Sequence, residues 1–255
     1  MNLLQHHYSF RFGAALPSLL CAVLFWILLT PAGFGQKPAD PEQWLKEAEA
    51  AYGAVTNYTA IFHKQQRVNG KLLPKETISI KFRRPFSLYM RWSEAPYKDS
   101  EVLYVKGQNH NRAKVHRGGL LGFITWNLDP KHPRLMSKNL HPLTATGLGY
   151  LVESVTSNVR RAAKAGELGF FERGEETAYG IQTRILEVVL PQDRSKGYDA
   201  YRLVINQNLA NKMLIKIHIY DWDNQLFENY GYEDLTLGAM LTDADFVPDH
   251  PDYHF

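Results

Sequence analysis

Histidines and carboxylates, the residues able to hold a metal or move a proton, are spread along the chain, and one cluster of them lies in the tail. Asp243, Asp245, Asp249 and Asp252 crowd the tail TDADFVPDHPDYHF. They are the carboxylates a calcium loop would draw on, yet the central glycine and closing glutamate of an EF-hand loop are missing. His250 and His254 have the i, i+4 spacing that binds zinc from one face of a helix, but Pro251 lies between them and opposes a helix there. Surface histidines are the simpler account. Asp221, Asp223 and Glu228 cluster near one strand end and could act as acid and base on a glycan or lipid. A tight turn calls for the same residue types. Asn57-Tyr58-Thr59 matches an N-glycosylation acceptor, a motif short enough to arise by chance. The chain has no G-x-S-x-G, no phosphate-binding glycine loop, no H-E-x-x-H and no C-x-x-C. These residues specify no catalytic site, no metal site and no cofactor, and a non-enzymatic role is the expectation.

The aromatic residues form a second pattern. Phe62, Phe86, Tyr89, Met90, Trp92, Tyr104, Phe123, Trp126, Tyr220 and Trp222 fall on expected strands or in one apolar loop. Strands with apolar residues on both faces, in a sheet whose helices cover one face, imply either an apolar cavity or a core filled by those side chains.

The elements that must position these residues follow from local signals. Asp40 as N-cap, Pro41 at the first helical position and Gln43 reaching back begin a helix whose apolar face is Trp44, Ala48, Ala51, Tyr52 and Val55. From residue 58 the period becomes two. Asn69-Gly70 is suited to a two-residue hairpin turn, TISIKF alternates, and FSLYMRW places Phe86, Leu88, Met90 and Trp92 on one face. Strands follow at 101–105 and 113–116. Residues 117–146, rich in Gly, Pro and His, read as a long excursion holding an apolar knot of Leu120, Leu121, Phe123, Ile124 and Trp126. A second helix is expected over 147–165, facing inward with Leu148, Leu151, Val152, Val155 and Val159 and stopped by Gly166. Five strands fill 169–235, with Asp223-Asn224 turning between the last two. Strands without βαβ alternation predict an α+β protein on an antiparallel sheet. The tail is an extended segment pinned by Phe246, Tyr253 and Phe255.

The first residues address the chain elsewhere. Arg11 precedes an apolar run, GAALPSLLCAVLFWILL, followed by Pro31, Gly33 and Gly35. This reads as a secretory signal over 1–35 with cleavage after Gly35, leaving one domain over 36–255. The run, at roughly 18 residues, also approaches the length of a bilayer span, so an uncleaved anchor is the competing reading. The one cysteine, Cys21, lies inside that run, so a cleaved chain has no thiol and must rely on its apolar core. A net charge of +3 with interspersed signs argues against nucleic acid as a partner.

Residues 58–109 carry a resemblance. Tyr-x-x-x-Phe at Tyr58 and Phe62, the hairpin Arg67-Val68-Asn69-Gly70, the strand Arg84-Pro85-Phe86-Ser87 through Trp92, and Glu101-Val102-Leu103-Tyr104-Val105 before Gly107 resemble the exported bacterial domain-of-unknown-function family 1571. The tail from Asp245-Phe246 to Phe255 resembles that family's ending. More distantly, the order of strand, Arg84-Pro85, strand, Trp92, Pro96, strand and glycine is similar to the periplasmic lipoprotein carriers LolA and LolB and to their relative RseB. That resemblance implies an incomplete, half-open β-barrel with helices packed on or plugging the concave face. It implies a cavity for an acyl chain, a lipid or a lipidated protein, and a latch arginine at the position of Arg84. On this basis Phe62, Leu88, Met90, Trp92 and Tyr104 are the expected ligand-binding wall, and the second helix with its preceding loop is the expected lid. The expected setting is the periplasm, with anchoring to the inner membrane by the N-terminal segment as the alternative. A tethered sensor of the RseB type, with an envelope or inner-membrane protein as partner, and an enzyme acting on envelope glycans or lipids are the alternatives. The long excursion at 117–146 has no counterpart in the carrier pattern.

Overall fold

Asp40 begins the first helix as expected, its carboxylate accepting the N–H groups of Glu42 and Gln43 at 2.9 and 3.2 Å. Gln43 does not reach back to complete a capping box; its amide donates to Glu47 one turn on. This helix, α1 (Pro41–Gly53), buries Trp44, Leu45 and Ala48. The computed structural model describes residues 37–119 and 122–255, so the expected export segment at 1–35 and Leu120-Leu121 of the expected knot lie outside the described residues. No helix among the described residues is long and apolar enough to cross a membrane.

The strands are β1 (Lys37–Pro38), β2 (Asn57–Val68), β3 (Lys71–Leu72), β4 (Glu76–Arg83), β5 (Ser87–Trp92), β6 (Glu101–Val105), β7 (Ala113–His116), β8 (Thr125–Leu128), β9 (Gly169–Ala178), β10 (Ile181–Val189), β11 (Arg202–Asn208), β12 (Leu214–Tyr220) and β13 (Leu226–Leu237). They form one open sheet in the order β1-β9-β10-β11-β12-β13-β2-β4-β5-β6-β7-β8, with β3 paired to β2. Every pairing is antiparallel. The chain is thus an α+β protein on an antiparallel, incomplete barrel. Asn69 and Gly70 hold φ of 51° and 77°, the paired positive values a two-residue hairpin needs. Gly174, at φ 105°, lies where the pairing of β9 with β10 shifts register, so β9 runs on past Arg173 through a bulge.

Two helices cover the inner face. The second expected helix is α3 (Leu148–Ala165), burying Leu148, Leu151, Val152, Val155 and Val159 and ending on Gly166 in the left-handed conformation. Its start is fixed by a fully buried tyrosine on β2, whose hydroxyl accepts the Leu148 N–H. A Cβ at Gly147 would stand 2.5 Å from that Tyr58 oxygen, and φ there is +97°. Glycine is what the close approach requires. Helices α1 and α3 pack on one another, and one apolar cluster joins them to Tyr58, Phe62, Ile80, Leu186, Ile205 and Ile217 of the sheet.

The outer face is covered where the sequence has apolar residues on both sides. Tyr89 of β5 and Leu103 of β6 form a second cluster with Phe246, against which Tyr253 and Phe255 pack. The Tyr89 and Tyr253 rings stack at 3.8 Å. The tail is pinned there as expected but is not extended throughout, since it opens with a turn of 3-10 helix over Asp243–Phe246; its cover of the outer face accounts for part of the two-sided apolar pattern. The 117–146 excursion is less of a loop than expected: β8 extends the sheet past β7, and a single helical turn, α2 (Pro133–Met136), follows. Of the expected knot, the described Phe123 and Trp126 stand apart: Phe123 is 81% exposed and Trp126, on β8, lies under the Arg134 guanidinium.

Candidate functional site

Where α3 crosses β2, β13, β12 and β11, the packing leaves a cavity of about 400 Å³. Its apolar wall includes Phe62, Leu151, Val155, Leu203, Ile219 and Tyr232. The inward face of β2 continues from Phe62 to Lys64 and Gln66, and that of β13 runs Glu228, Tyr230, Tyr232. One end of the cavity is therefore polar.

That end is a connected network. Tyr150 of α3 contacts His141 Nδ1 at 3.1 Å, and His141 Nε2 lies 2.8 Å from Glu228 Oε2. The same Glu228 oxygen accepts the Tyr230 hydroxyl and, at 3.4 Å, the Gln66 amide. Gln66 also donates to Tyr230 at 2.5 Å and accepts the Leu140 N–H. One proton assignment satisfies every member: Tyr150 donates to His141 Nδ1, and His141 Nε2–H donates to Glu228. Burial, then the Glu228 charge, raises the Tyr150 pKa, and the same two causes raise that of Tyr230 further. Both hydroxyls stay protonated and act as donors, which suits binding and leaves Tyr150 a poor nucleophile.

The expected site residues divide. Phe62 lines the cavity. Leu88, Met90 and Tyr104 are buried within the main apolar cluster, and Trp92 packs at its edge with its indole N–H donating to Glu76 at 2.6 Å. Arg84 lies in a separate groove between α1, α3 and the β4–β5 turn. Its guanidinium donates to the Tyr52 carbonyl at 3.1 Å and sits over the Tyr52 ring, a cation placed at the C-terminal end of α1. Gln66, His141, Tyr150 and Tyr230 were not among the expected residues; polar side chains at positions that strand alternation assigns to the inner face were the signal for Gln66. Glu228 was singled out, but for its proximity to Asp221 and Asp223. Asp221 serves the turn, accepting the N–H groups of Asp223 and Gln225, while Glu228 serves the cavity.

The tail acids are mostly structural. Asp243 pairs with Arg83 and Asp245 with Lys81. His250 stacks on Tyr253, and His254 bonds through its backbone N–H and Nδ1 to the fully buried Glu101. Beside them, His116 is buried with no partner for Nδ1 among the described residues. Burial lowers its pKa; nearby Glu101 acts in the opposite sense, and His254 reinforces the lowering. The unfolded chain therefore binds the proton more readily, so this contribution to stability is complete above the ordinary imidazole pKa and declines as pH falls below about 6.5. Thermal unfolding at stepped pH should show that decline, and His116→Gln should flatten it. An unchanged slope in the variant would assign the acid sensitivity to other groups.

Residues 55–255 match the family described as Protein of unknown function (DUF1571), and the chain belongs to that family. No curated protein matches it by sequence. Among solved structures, the Pseudomonas aeruginosa MucA/MucB complex is similar at 16% identity and a TM-score of 0.48, covering 82% of this chain and 61% of that one. The chain thus spans less than two thirds of that protein. The Mycobacterium tuberculosis lipoprotein LppX is 14% identical, with a TM-score of 0.46 over 80% of this chain and 99% of that one. A LolA superfamily protein from Nitrosomonas europaea is 14% identical, with a TM-score of 0.36 over 83% of this chain and 99% of that one.

Proposed function

We propose that this chain is an exported envelope protein that holds an acyl chain, of a lipid or of a lipidated protein, in the cavity beneath α3, and does no chemistry on it. The observation that carries the reading is the cavity of about 400 Å³ with its apolar wall. It is within the size range of ligand sites, roughly 300–1,000 Å³. Each methylene moved from water into such a wall contributes about 0.8 kcal/mol, so an acyl chain needs few polar contacts to bind. Phe62 is the proposed wall residue among those expected. Leu88, Met90, Trp92 and Tyr104 would join it only if a longer chain displaced core side chains. Arg84 is the proposed latch of α1, and α3 with residues 139–146 the proposed lid. The apolar N-terminal run supports export, and N-terminal sequencing of the envelope-purified protein distinguishes a cleaved signal from a retained anchor.

Native mass spectrometry of that protein, followed by lipid extraction, should show a bound species with acyl-chain masses. Ile219 is partly accessible and lines the cavity, so Ile219→Trp should fill the space with little overpacking. The variant should lose the bound species while keeping its Tm within a few degrees. Wild-type protein without any copurifying lipid, and without uptake of added lipid, would sink the proposal.

A further inference from the structure

The polar end of the cavity is asymmetric in charge. Lys64, Asp199 and Glu228 are the charged groups among its described lining residues. Lys64 is already engaged, 3.1 Å from Glu76 and 2.5 Å from the Asn139 side chain. Asp199 is exposed and accepts from Asn158. Glu228 is the buried one, with its side chain 7% exposed. Its donors, His141, Tyr230 and Gln66, all converge on Oε2, and no hydrogen bond from a described residue reaches Oε1. A carboxylate with one oxygen saturated and the other open, at the end of an apolar cavity, is an acceptor waiting for a donor.

We propose that Glu228 reads the polar end of the bound amphiphile and selects a hydrogen-bond-donating headgroup without negative charge, an ammonium or a hydroxyl, over a carboxylate or phosphate. The inference rests on the reading of the cavity as an acyl-chain site. An anionic headgroup would meet the Glu228 charge in a partly desolvated space, and the one lysine there is paired. Like charges in such a place repel strongly. The sequence net charge of +3 would draw anions to the protein non-specifically, so a preference against them has to come from the site.

The test uses delipidated protein from the envelope fraction at about pH 8, above the ordinary imidazole range. Dodecylammonium, monododecanoylglycerol and dodecanoate compete, below their micellar concentrations, against a neutral apolar fluorophore. The first two should displace it at least about tenfold more tightly than dodecanoate, the scale of one hydrogen bond to a charged group. Glu228→Gln should remove the advantage of dodecylammonium over dodecanoate while monododecanoylglycerol keeps its affinity within about threefold. Dodecanoate binding as tightly as dodecylammonium to the wild type would overturn the inference, and this comparison needs no variant. An ammonium preference that survives Glu228→Gln would overturn it as well. Failure of all three, with no binding of the fluorophore, would overturn the acyl-chain reading itself.

Discussion

Trp44→Ala is expected to destabilise the protein by about 3 kcal/mol, at the low end of the range for deleting a buried tryptophan. Trp44 is 2% exposed and its ring meets Phe170 of β9 at a centroid distance of 5.4 Å. Trp44 is the largest of the three residues that α1 buries, with Leu45 and Ala48 beside it. A helix as short as α1, Pro41–Gly53, is not stable alone. Of its ion pairs, Glu49 with Arg160 is exposed, and such a pair contributes about 0–1 kcal/mol, while Glu47 with Arg184 is half-buried and adds to what the Trp44 ring supplies. The indole N–H is buried without a partner among the described residues, so removing it relieves an unsatisfied donor and keeps the loss at the low end. Trp44→Phe tests this division, because it retains the ring contact and discards the N–H. It should cost less than half of what Trp44→Ala costs. Urea unfolding reads both, with the midpoint falling and the slope unchanged. A Trp44→Ala midpoint equal to the wild type would mean that α1 does not need its apolar face.

The fold was legible wherever the signal is local. Asn69-Gly70 marks its turn because only such residues accept positive φ at both central positions, and α3 announces itself through the spacing of Leu148, Leu151, Val155 and Val159 with Gly166 beyond. Strand β8 was missed because TWNL is short, lies among glycines, prolines and histidines, and becomes a strand by pairing with β7. The apolar residues on both faces of β5 pointed to a cavity, yet Tyr89 is buried by the tail, a contact no periodicity within the strand can reveal. The cavity network is the least legible part. Gln66, the His141–Tyr150 segment and Glu228 are distant in sequence, and only the sheet order, with β13 beside β2, brings Gln66 and Glu228 together. What the sequence does carry is a mismatch: Lys64, Gln66 and Glu228 stand at inward positions of strands that are otherwise apolar on that face. Buried polar residues need partners, and here the partners surround a cavity.

The same mismatch makes Glu76 a decisive position. Glu76 and Lys64 are register partners across β4 and β2, with side chains 7% and 11% exposed. Glu76 uses both oxygens as acceptors, Oε1 near the Lys64 ammonium and Oε2 from the Trp92 indole. Glutamine offers one acceptor, so in Glu76→Gln either Lys64 or Trp92 faces an amide N–H. Lys64 also loses its counter-charge and keeps Asn139 as its one partner among the described residues. Breaking a buried pair from one side costs about 3–5 kcal/mol, chiefly through the charge left behind. Replacing both members, Lys64→Met with Glu76→Leu, should therefore cost clearly less than Glu76→Gln alone, and urea unfolding of the two variants measures the difference. The ligand consequence runs the other way. With Glu76 neutralised, the Lys64 charge at the cavity is no longer balanced, and dodecanoate should gain on dodecylammonium by about tenfold relative to wild type, the size of one charge-assisted contact. Equal costs for the single and double replacements would show that the Lys64 charge is already solvated, and in that case the dodecanoate affinity should not move.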